Sequence, residues 1–146
     1  MNQKLLKLGQ TCLRIIASEE KSASFLGGQP LVRSAVRWPE RDGNALGFIA
    51  QLNLGEINKE QHIAWLPSTG RLLFFYDVED WPWGISPDDK DGWAVLYENG
   101  AGEPYSLETP SDLNKEYSVA PVKYVAAEAF TSYPDLDRID FEEIGL

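Results

Sequence analysis

The chain has 146 residues, of which 43% are hydrophobic and 25% charged, and its formal net charge is −10. This length and composition predict a single globular domain that can bury a core without disulfides or metal ions. The one cysteine excludes an internal disulfide. We expect no signal peptide at the N-terminal leucines and lysines, because Arg14 interrupts the apolar run and no small-residue cleavage site follows.

Charge is distributed unevenly along the chain. Residues 1–73 carry nine Lys/Arg and six Asp/Glu, net +3, whereas residues 74–146 carry four and seventeen, net −13. The acidic half would repel phosphate, so nucleic acid is not expected as a ligand, and a basic protein or a cation is the plausible partner. No apolar stretch approaches the roughly 18 residues that span a bilayer. We therefore expect no membrane partner and a cytoplasmic location, while the oligomeric state is not predicted.

Residues 2–18 are predicted to form a helix. Leu5, Leu8, Cys12 and Ile15 recur at three- and four-residue spacing, which is the spacing of one helix face. Further leucines widen this apolar stripe, so the predicted helix packs on a sheet.

Two apolar runs predict the middle of that sheet. Residues 46–52 and 71–76 each have the length of a strand and are bounded by turn residues. Residues 93–97 predict a third strand beside the second, residues 119–130 predict a fourth, and the spacing within residues 134–144 suits a short docked helix. The expected fold class is α+β, with an N-terminal helix packed on a mainly antiparallel, or mixed, sheet.

Five spaced motifs follow one another through the first two thirds of the chain: Leu26-Gly27-Gly28-x-Pro30, Trp38-Pro39, Leu46-x-Phe48-Ile49-Ala50-Gln51-Leu52-Asn53-Leu54, Leu66-Pro67-x-x-Gly70-x-Leu72-x-Phe74-Phe75-Tyr76 and Val95-Leu96-Tyr97. Together, over residues 24–97, they resemble the YwqG-like family of uncharacterised bacterial proteins. The resemblance implies an α+β domain and carries no established activity. Because members are commonly longer, it implies that residues 1–146 are one domain of a short or half-length member.

The residues give little support for catalysis or metal binding. His62 is the only histidine and no nucleophile motif surrounds it, so no catalytic residue is predicted. One histidine and one cysteine cannot supply a zinc site without several carboxylates. Asp89, Asp91 and Glu98 fit ligand positions of an EF-hand loop. However, Pro87 stands at the first such position and a strand follows, so we expect no metal ion and no other cofactor.

The segment from Asp77 to Trp93 is the most distinctive, with five aspartates, one glutamate and three tryptophans around one lysine. Exposed tryptophans can anchor a partner while carboxylates steer a basic one. We therefore predict a noncatalytic binding module that uses an acidic, tryptophan-rich surface, and immunity-type neutralisation of a basic toxin is one specific hypothesis. The candidate binding residues are Asp77, Asp80, Trp81, Trp83, Asp88, Asp89, Asp91 and Trp93.

Three alternatives stay open. The tryptophans of the segment could instead cover the edge of the sheet, or stack on a sugar beside paired carboxylates, as in glycoside hydrolases. A different function is that of a small-molecule-binding enzyme of unknown reaction, with a pocket near Gln51 and Trp38. Gln51 lies inside an apolar strand, so its amide must either hold a neighbouring loop through backbone hydrogen bonds or point into a pocket.

Overall fold

The computed structural model describes residues 3–114, 116 and 120–141, and these residues are mainly β. Six strands form one antiparallel sheet in the spatial order β1-β10-β2-β6-β7-β8. Their bounds are β1 Gln10–Ala17, β2 Phe25–Leu26, β6 Gly47–Asn53, β7 Arg71–Tyr76, β8 Trp93–Glu98 and β10 Lys123–Ser132.

Shorter elements occupy the connections between these strands. Two small antiparallel pairs join β3 Leu31–Val32 to β9 Tyr105–Ser106 and β4 Glu40–Arg41 to β5 Asn44–Ala45. The helical pieces are α1 Gln3–Leu6, α2 Leu54–Ile57 and the 3₁₀ turns Pro87–Asp89 and Leu136–Arg138. In the part of the chain described, no helix is both long and apolar enough to cross a membrane.

The predicted centre of the sheet is confirmed. Strands β6 and β7 pair antiparallel, with one register shift between Phe48 and Ala50, and β7 pairs with β8 from Arg71–Glu98 to Tyr76–Trp93. The predicted fourth strand corresponds to β10, although part of the predicted range 119–130 lies outside the described residues. The predicted tail helix over residues 134–144 also lies partly outside the described residues, and within residues 134–141 only the 3₁₀ turn Leu136–Arg138 is helical.

The predicted N-terminal helix over residues 2–18 is wrong, and with it the α+β class. Within the described residues, α1 is a single turn, whereas Gln10–Ala17 forms β1 and pairs over its whole length with β10. The spacing that suggested a helix is short, and short apolar runs suit a strand equally well. The β-branched residues Thr11, Ile15 and Ile16 favour a strand once the long partner β10 is available.

Gly9 marks the point where the helical pattern fails. A Cβ at this position would lie 2.8 Å from the Thr131 side chain and 2.9 Å from the Tyr133 ring, so any other residue would require these side chains to move. Glycine also disfavours the interior of a helix by about 1 kcal/mol relative to alanine. The N-terminal segment therefore adds a strand to the sheet instead of packing a helix on it.

The hydrophobic core lies on one face of the sheet. Alternate residues of the central strands, among them Phe48, Leu73 and Phe75, point to this face and are almost fully buried. Trp38 from the connection before β4 packs edge-on against Phe75, with ring centroids 5.2 Å apart, and its Nε1 donates to the Leu46 carbonyl. The connecting segments thus cover the inner face of the sheet with apolar side chains.

Gln51 holds a loop and does not line a pocket. Its Oε1 accepts from the Leu31 amide at 2.8 Å, and its Nε2 donates to the Ala23 carbonyl at 3.0 Å. The side chain is buried, and these two bonds satisfy its amide. The first of the two interpretations of Gln51 is therefore correct.

Candidate functional site

The predicted binding segment forms a long hairpin loop between β7 and β8, and we call residues 77–92 the acidic loop. Its base is closed by the Asp77 amide, which donates to the Gly92 carbonyl at 2.8 Å. The Asp77 Oδ1 atom accepts from the amides of Glu79 and Asp80 at 3.1 and 3.0 Å. Aspartate favours turns through this kind of contact to the following backbone, so Asp77 shapes the first turn of the loop.

A capped 3₁₀ turn shapes the second half of the acidic loop. The Asp89 Oδ2 atom accepts from the amides of Ile85 and Ser86, and the Ser86 hydroxyl accepts from the Asp88 amide. With Pro87 at the first position, this is the reciprocal capping arrangement that fixes a helix start. The bond from the Ser86 amide leads the contributions that lower the Asp89 pKa, so this carboxylate stays charged and holds its own loop.

Arg41 of β4 ties both halves of the loop together. Its Nη1 lies 2.9 Å from the Asp77 Oδ2 and 3.5 Å from the Asp80 Oδ2, and its Nη2 donates to the Asp88 carbonyl at 2.7 Å. Burial works against ionisation of Asp77, but the hydrogen bonds from the Asp80 amide and from Arg41 outweigh it and lower the pKa. The hydrogen bond to Asp77 in turn raises the pKa of Arg41. The loop therefore has a fixed shape before any partner arrives.

The three tryptophans of the segment are exposed. The exposed fractions of Trp81, Trp83 and Trp93 are 60%, 87% and 48%. Trp81 has a φ of +50°, which is rare for an aromatic residue, and packs edge-on against Tyr76 with ring centroids 5.9 Å apart. Such backbone outliers occur preferentially where the surrounding structure holds a functional group in place.

A row of apolar side chains on the sheet continues the surface of the acidic loop. Because β7 and β8 are in register, every second residue of each strand points away from the core. We call this set the open face; on β8 its members are exposed, and on β7 they are partly buried. The open face consists of Trp93, Val95 and Tyr97 on β8 and Leu72, Phe74 and Tyr76 on β7.

The loop and the open face are in contact. Trp81 packs on Tyr76, and Gly84 lies beside Trp93, where a Cβ at Gly84 would be in ordinary van der Waals contact with the indole ring at 3.4 Å. The Tyr76 hydroxyl also donates to the Pro82 carbonyl at 2.6 Å. The two features therefore form one continuous surface with an apolar floor and an acidic rim.

The predicted site residues divide into three groups. Asp77, Asp80 and the backbone of Asp88 gather around Arg41, and Asp89 turns inward to its own loop. The side chain of Asp91 is exposed, at a residue with a φ of +64°. Trp81 and Trp93 adjoin the open face, whereas Trp83 is almost fully exposed within the loop.

Sequence reasoning missed three exposed apolar residues of this surface, Ile85, Val95 and Tyr97. The run Trp93–Tyr97 is apolar at every position, which normally indicates a strand buried on both faces. Its position at the end of the sheet leaves one face open instead. No local signal could have found it, because residues 119–130 also have the pattern of a strand and the order of the strands depends on long-range pairing.

The EF-hand ligand set is not brought together. Glu98 lies at the far end of β8, where it bonds Arg71, the Ser34 hydroxyl and the Gly100 amide. Within the described ranges, no group of three or more His, Cys, Asp or Glu side chains is placed to hold a metal ion. A polar pocket of about 150 Å³ lies beside Arg41 and Asp77, which is below the roughly 300 Å³ at which small-molecule sites begin.

Comparison with known proteins identifies the family. A family described as a domain of unknown function (DUF1963) matches residues 24–144. Because the match covers well over half of the chain, the chain belongs to this family. The matched region includes the acidic loop and the open face and begins after β1. No curated protein matches the chain.

Proposed function

We propose that this member of the DUF1963 family is a noncatalytic binding module, which captures a basic protein through the acidic loop and the open face. The narrower assignment to the YwqG-like family is part of the proposal and rests on motifs such as Leu26-Gly27-Gly28 and Trp38-Pro39. The family match over residues 24–144 is compatible with it.

The exposure of the tryptophans carries the proposal. Monomeric proteins rarely leave contiguous large apolar side chains in water, and such patches rimmed by polar groups mark interaction sites. Trp83 is 87% exposed in a loop that internal hydrogen bonds and Arg41 already hold. A rigid aromatic anchor loses little entropy on binding, which is why tryptophan is frequent among the residues that dominate binding energy.

The charge of the loop supports a basic protein as the partner. Within the acidic loop, five aspartates and Glu79 carry negative charge, and Lys90 carries the one positive charge. Arg41 neutralises only the carboxylates beside it. The Asp80 side chain is 76% exposed even with this contact. A surplus of solvent-facing carboxylates speeds association with a basic surface and repels an acidic one. Neutralisation of a basic toxin, the immunity-type role, is one biological form that such capture takes.

The alternative of a small-molecule enzyme near Gln51 and Trp38 receives no supporting observation. Both side chains are buried, and both use their polar atoms for internal hydrogen bonds. A binding site would need polar groups that converge on a cavity and remain available to a ligand. We therefore keep the binding module as the proposed function.

Calorimetric titration with a defined probe tests the proposal. The probe is a capped peptide of alternating lysine and valine, and its counterpart replaces lysine with glutamate. We expect the basic peptide to bind, with an affinity that falls as salt screens the carboxylates. The acidic peptide should not bind. Absence of binding by the basic peptide at low salt would overturn the proposal.

Two pairs of variants locate the binding surface. Trp83→Ala should weaken binding about tenfold or more, the effect of losing an aromatic anchor. The matched control is Trp65→Ala, since Trp65 is 84% exposed but lies in the connection before β7.

Asp88→Asn with Asp91→Asn should reduce the salt dependence of binding. Its charge-matched control is Glu19→Gln with Glu128→Gln at the β1 side of the sheet.

A further inference from the structure

The outer edge of β8 is an unpaired strand edge. β8 is the last strand of the six-stranded sheet, and it pairs with β7 through six consecutive residue pairs without a bulge. None of the described strands pairs with its other side. Proteins usually protect such an edge with lysine, proline or a bulge. The sequence of β8, Trp-Ala-Val-Leu-Tyr-Glu, contains none of these devices.

The hydrogen-bond pattern shows which backbone groups face outward. Facing pairs in an antiparallel ladder alternate between bonded and non-bonded. The bond from the Asp77 amide to the Gly92 carbonyl makes that pair a bonded one. Counting along β8, Ala94, Leu96 and Glu98 bond β7. The N–H and C=O groups of Trp93, Val95 and Tyr97 therefore point away from it.

The other side of β7 gives the same result independently. The Leu54 amide donates to the Gly70 carbonyl at 2.9 Å, which directs Gly70 toward β6. By alternation, Leu72 and Phe74 also bond β6. Arg71, Leu73 and Phe75 are then the residues of β7 that bond β8, in agreement with the count from the loop end.

From this arrangement we infer that β8 binds its partner by strand addition: an extended segment of the basic protein pairs with the outer edge beside the open face. The inference rests on the proposed function and adds its binding mode. The three residues with outward backbone groups are also the exposed β8 residues of the open face. Backbone hydrogen bonds would supply affinity, and contacts with the exposed apolar side chains would supply specificity.

Charge determines the chemistry of the added segment. The Trp93 end of β8 adjoins the acidic loop, so an added strand carries Lys or Arg near this end and apolar residues at alternate positions. A second copy of this chain is a poorer occupant, because each copy carries a net charge of −10 and would bring its own acidic loop to the same edge. The occupant is therefore a strand of another protein in which basic and apolar residues alternate.

Amide hydrogen exchange of the full chain, followed residue by residue by NMR, tests the inference. In the free protein the amides of Ala94 and Leu96 should be protected, and those of Trp93, Val95 and Tyr97 should exchange rapidly. Saturation with the lysine–valine peptide should protect the three outward amides.

A peptide N-methylated at alternate residues keeps its charge and side chains but cannot form the ladder. It should bind about tenfold more weakly or worse, the factor for losing at least one net hydrogen bond.

A variant at Val95 tests the same point from the protein side. Val95→Pro removes an outward N–H without removing a bond to β7, since proline is tolerated at an edge where the N–H faces solvent. It should weaken peptide binding about tenfold. Val95→Thr keeps the N–H but replaces one methyl group of the open face by a hydroxyl, so it should weaken binding clearly less than Val95→Pro does. If the proline variant does not fold, the N-methylated peptide still decides the question.

The outcomes separate the inference from the proposed function. Salt-sensitive binding that depends on Trp83 but leaves Trp93, Val95 and Tyr97 unprotected would overturn strand addition and leave the binding module in place. Absence of binding by the basic peptide would overturn both. Protection of the three amides without peptide, increasing with protein concentration, would show that a second copy occupies the edge and would overturn the choice of partner.

Discussion

The β7–β8 hairpin has an arginine–carboxylate pair at each end, and the two ends differ in what surrounds the pair. At one end Arg71 bonds Glu98, and their side chains are only 10% and 2% exposed. The Ser34 hydroxyl and the Gly100 amide donate to the same carboxylate. At the other end Arg41 holds Asp77 among carboxylates and tryptophans that face water.

The difference shows how one kind of contact serves two purposes. At the Arg71–Glu98 end, the donors around Glu98 surround a single carboxylate, so no charge is left for a partner. At the loop end, Arg41 fixes the backbone while a surplus of carboxylates remains in water. The first arrangement stabilises the sheet, and the second positions a surface.

The largest effect on stability is expected at the Arg71–Glu98 end. Glu98→Ala leaves the Arg71 guanidinium buried without its partner, and it removes the acceptor of Ser34 and Gly100. Breaking a buried pair from one side typically costs about 3–5 kcal/mol of unfolding free energy. Urea unfolding followed by circular dichroism measures this loss. A loss below about 1 kcal/mol would mean that the pair behaves like a surface salt bridge.

A double variant controls for this interpretation. Arg71→Met with Glu98→Leu removes both charges and fills the space with apolar atoms. Replacement of a buried pair by hydrophobic residues is often neutral or stabilising. The double variant should therefore recover the part of the loss that comes from the unpaired Arg71 guanidinium, while the Ser34 hydroxyl and the Gly100 amide still lack their acceptor.

Acid should destabilise the protein through both ends. The native pKa of Glu98 is lowered, because bonds from Ser34, Gly100 and Arg71 outweigh the burial that opposes ionisation, and that of Asp77 is lowered as described above. A lowered native pKa means that the unfolded state binds more protons in acid. The resulting stability is complete above the ordinary carboxylate pKa of about 4 and is lost as pH falls through the native values.

Urea unfolding at a series of pH values checks this sign. The unfolding free energy should be nearly constant near neutrality and should fall below about pH 5, by up to about 1.4 kcal/mol per pH unit for each proton taken up. Asp77→Asn removes one of these groups but can still accept a hydrogen bond, so its curve should be less steep in acid. A curve that rises in acid would contradict the directions given for both carboxylates.

A smaller effect is expected at the loop end. Asp77→Ala removes the acceptor of the Glu79 and Asp80 amides and the ion pair with Arg41. We expect a loss of about 1–2 kcal/mol, the range for losing a capping side chain. The near-ultraviolet circular dichroism of the tryptophans should change as well, because the Asp77 carboxylate holds the turn in which the Trp81 amide donates to the backbone carbonyl of Asp77. An unchanged spectrum would mean that the loop does not depend on Asp77.

How much of the fold could be predicted from the sequence depends on the range of the contacts that fix each strand. The central strands were predictable because apolar runs such as residues 71–76 are bounded by turn residues and are too short for a typical helix. β1 was not predictable from its own spacing, since its state depends on pairing with β10 more than a hundred residues away in sequence. Local spacing cannot report a contact of that range.

The candidate site was predictable in composition but not in arrangement. The acidic and aromatic content of residues 77–93 is visible in the sequence. The contacts of Arg41 with the acidic loop, in contrast, depend on the β4–β5 hairpin. The exposure of Val95 and Tyr97 depends on where β8 lies in the sheet. Strand order follows from long-range pairing, so no local pattern around β8 could have indicated an open face.

The smallest effect on stability is expected from Trp83→Ala. A small effect would mean that Trp83 is not needed for the fold and is free to contact a partner. A tryptophan that is 87% exposed buries little apolar area on folding, so its removal should change the unfolding free energy by less than about 0.5 kcal/mol. Trp65→Ala, with 84% exposure, should behave in the same way. Urea unfolding of the two variants beside the parent measures this difference. If Trp83→Ala costs more than about 1 kcal/mol while Trp65→Ala does not, Trp83 packs within the protein in solution, and a side chain that stabilises the fold is a poor anchor for a partner.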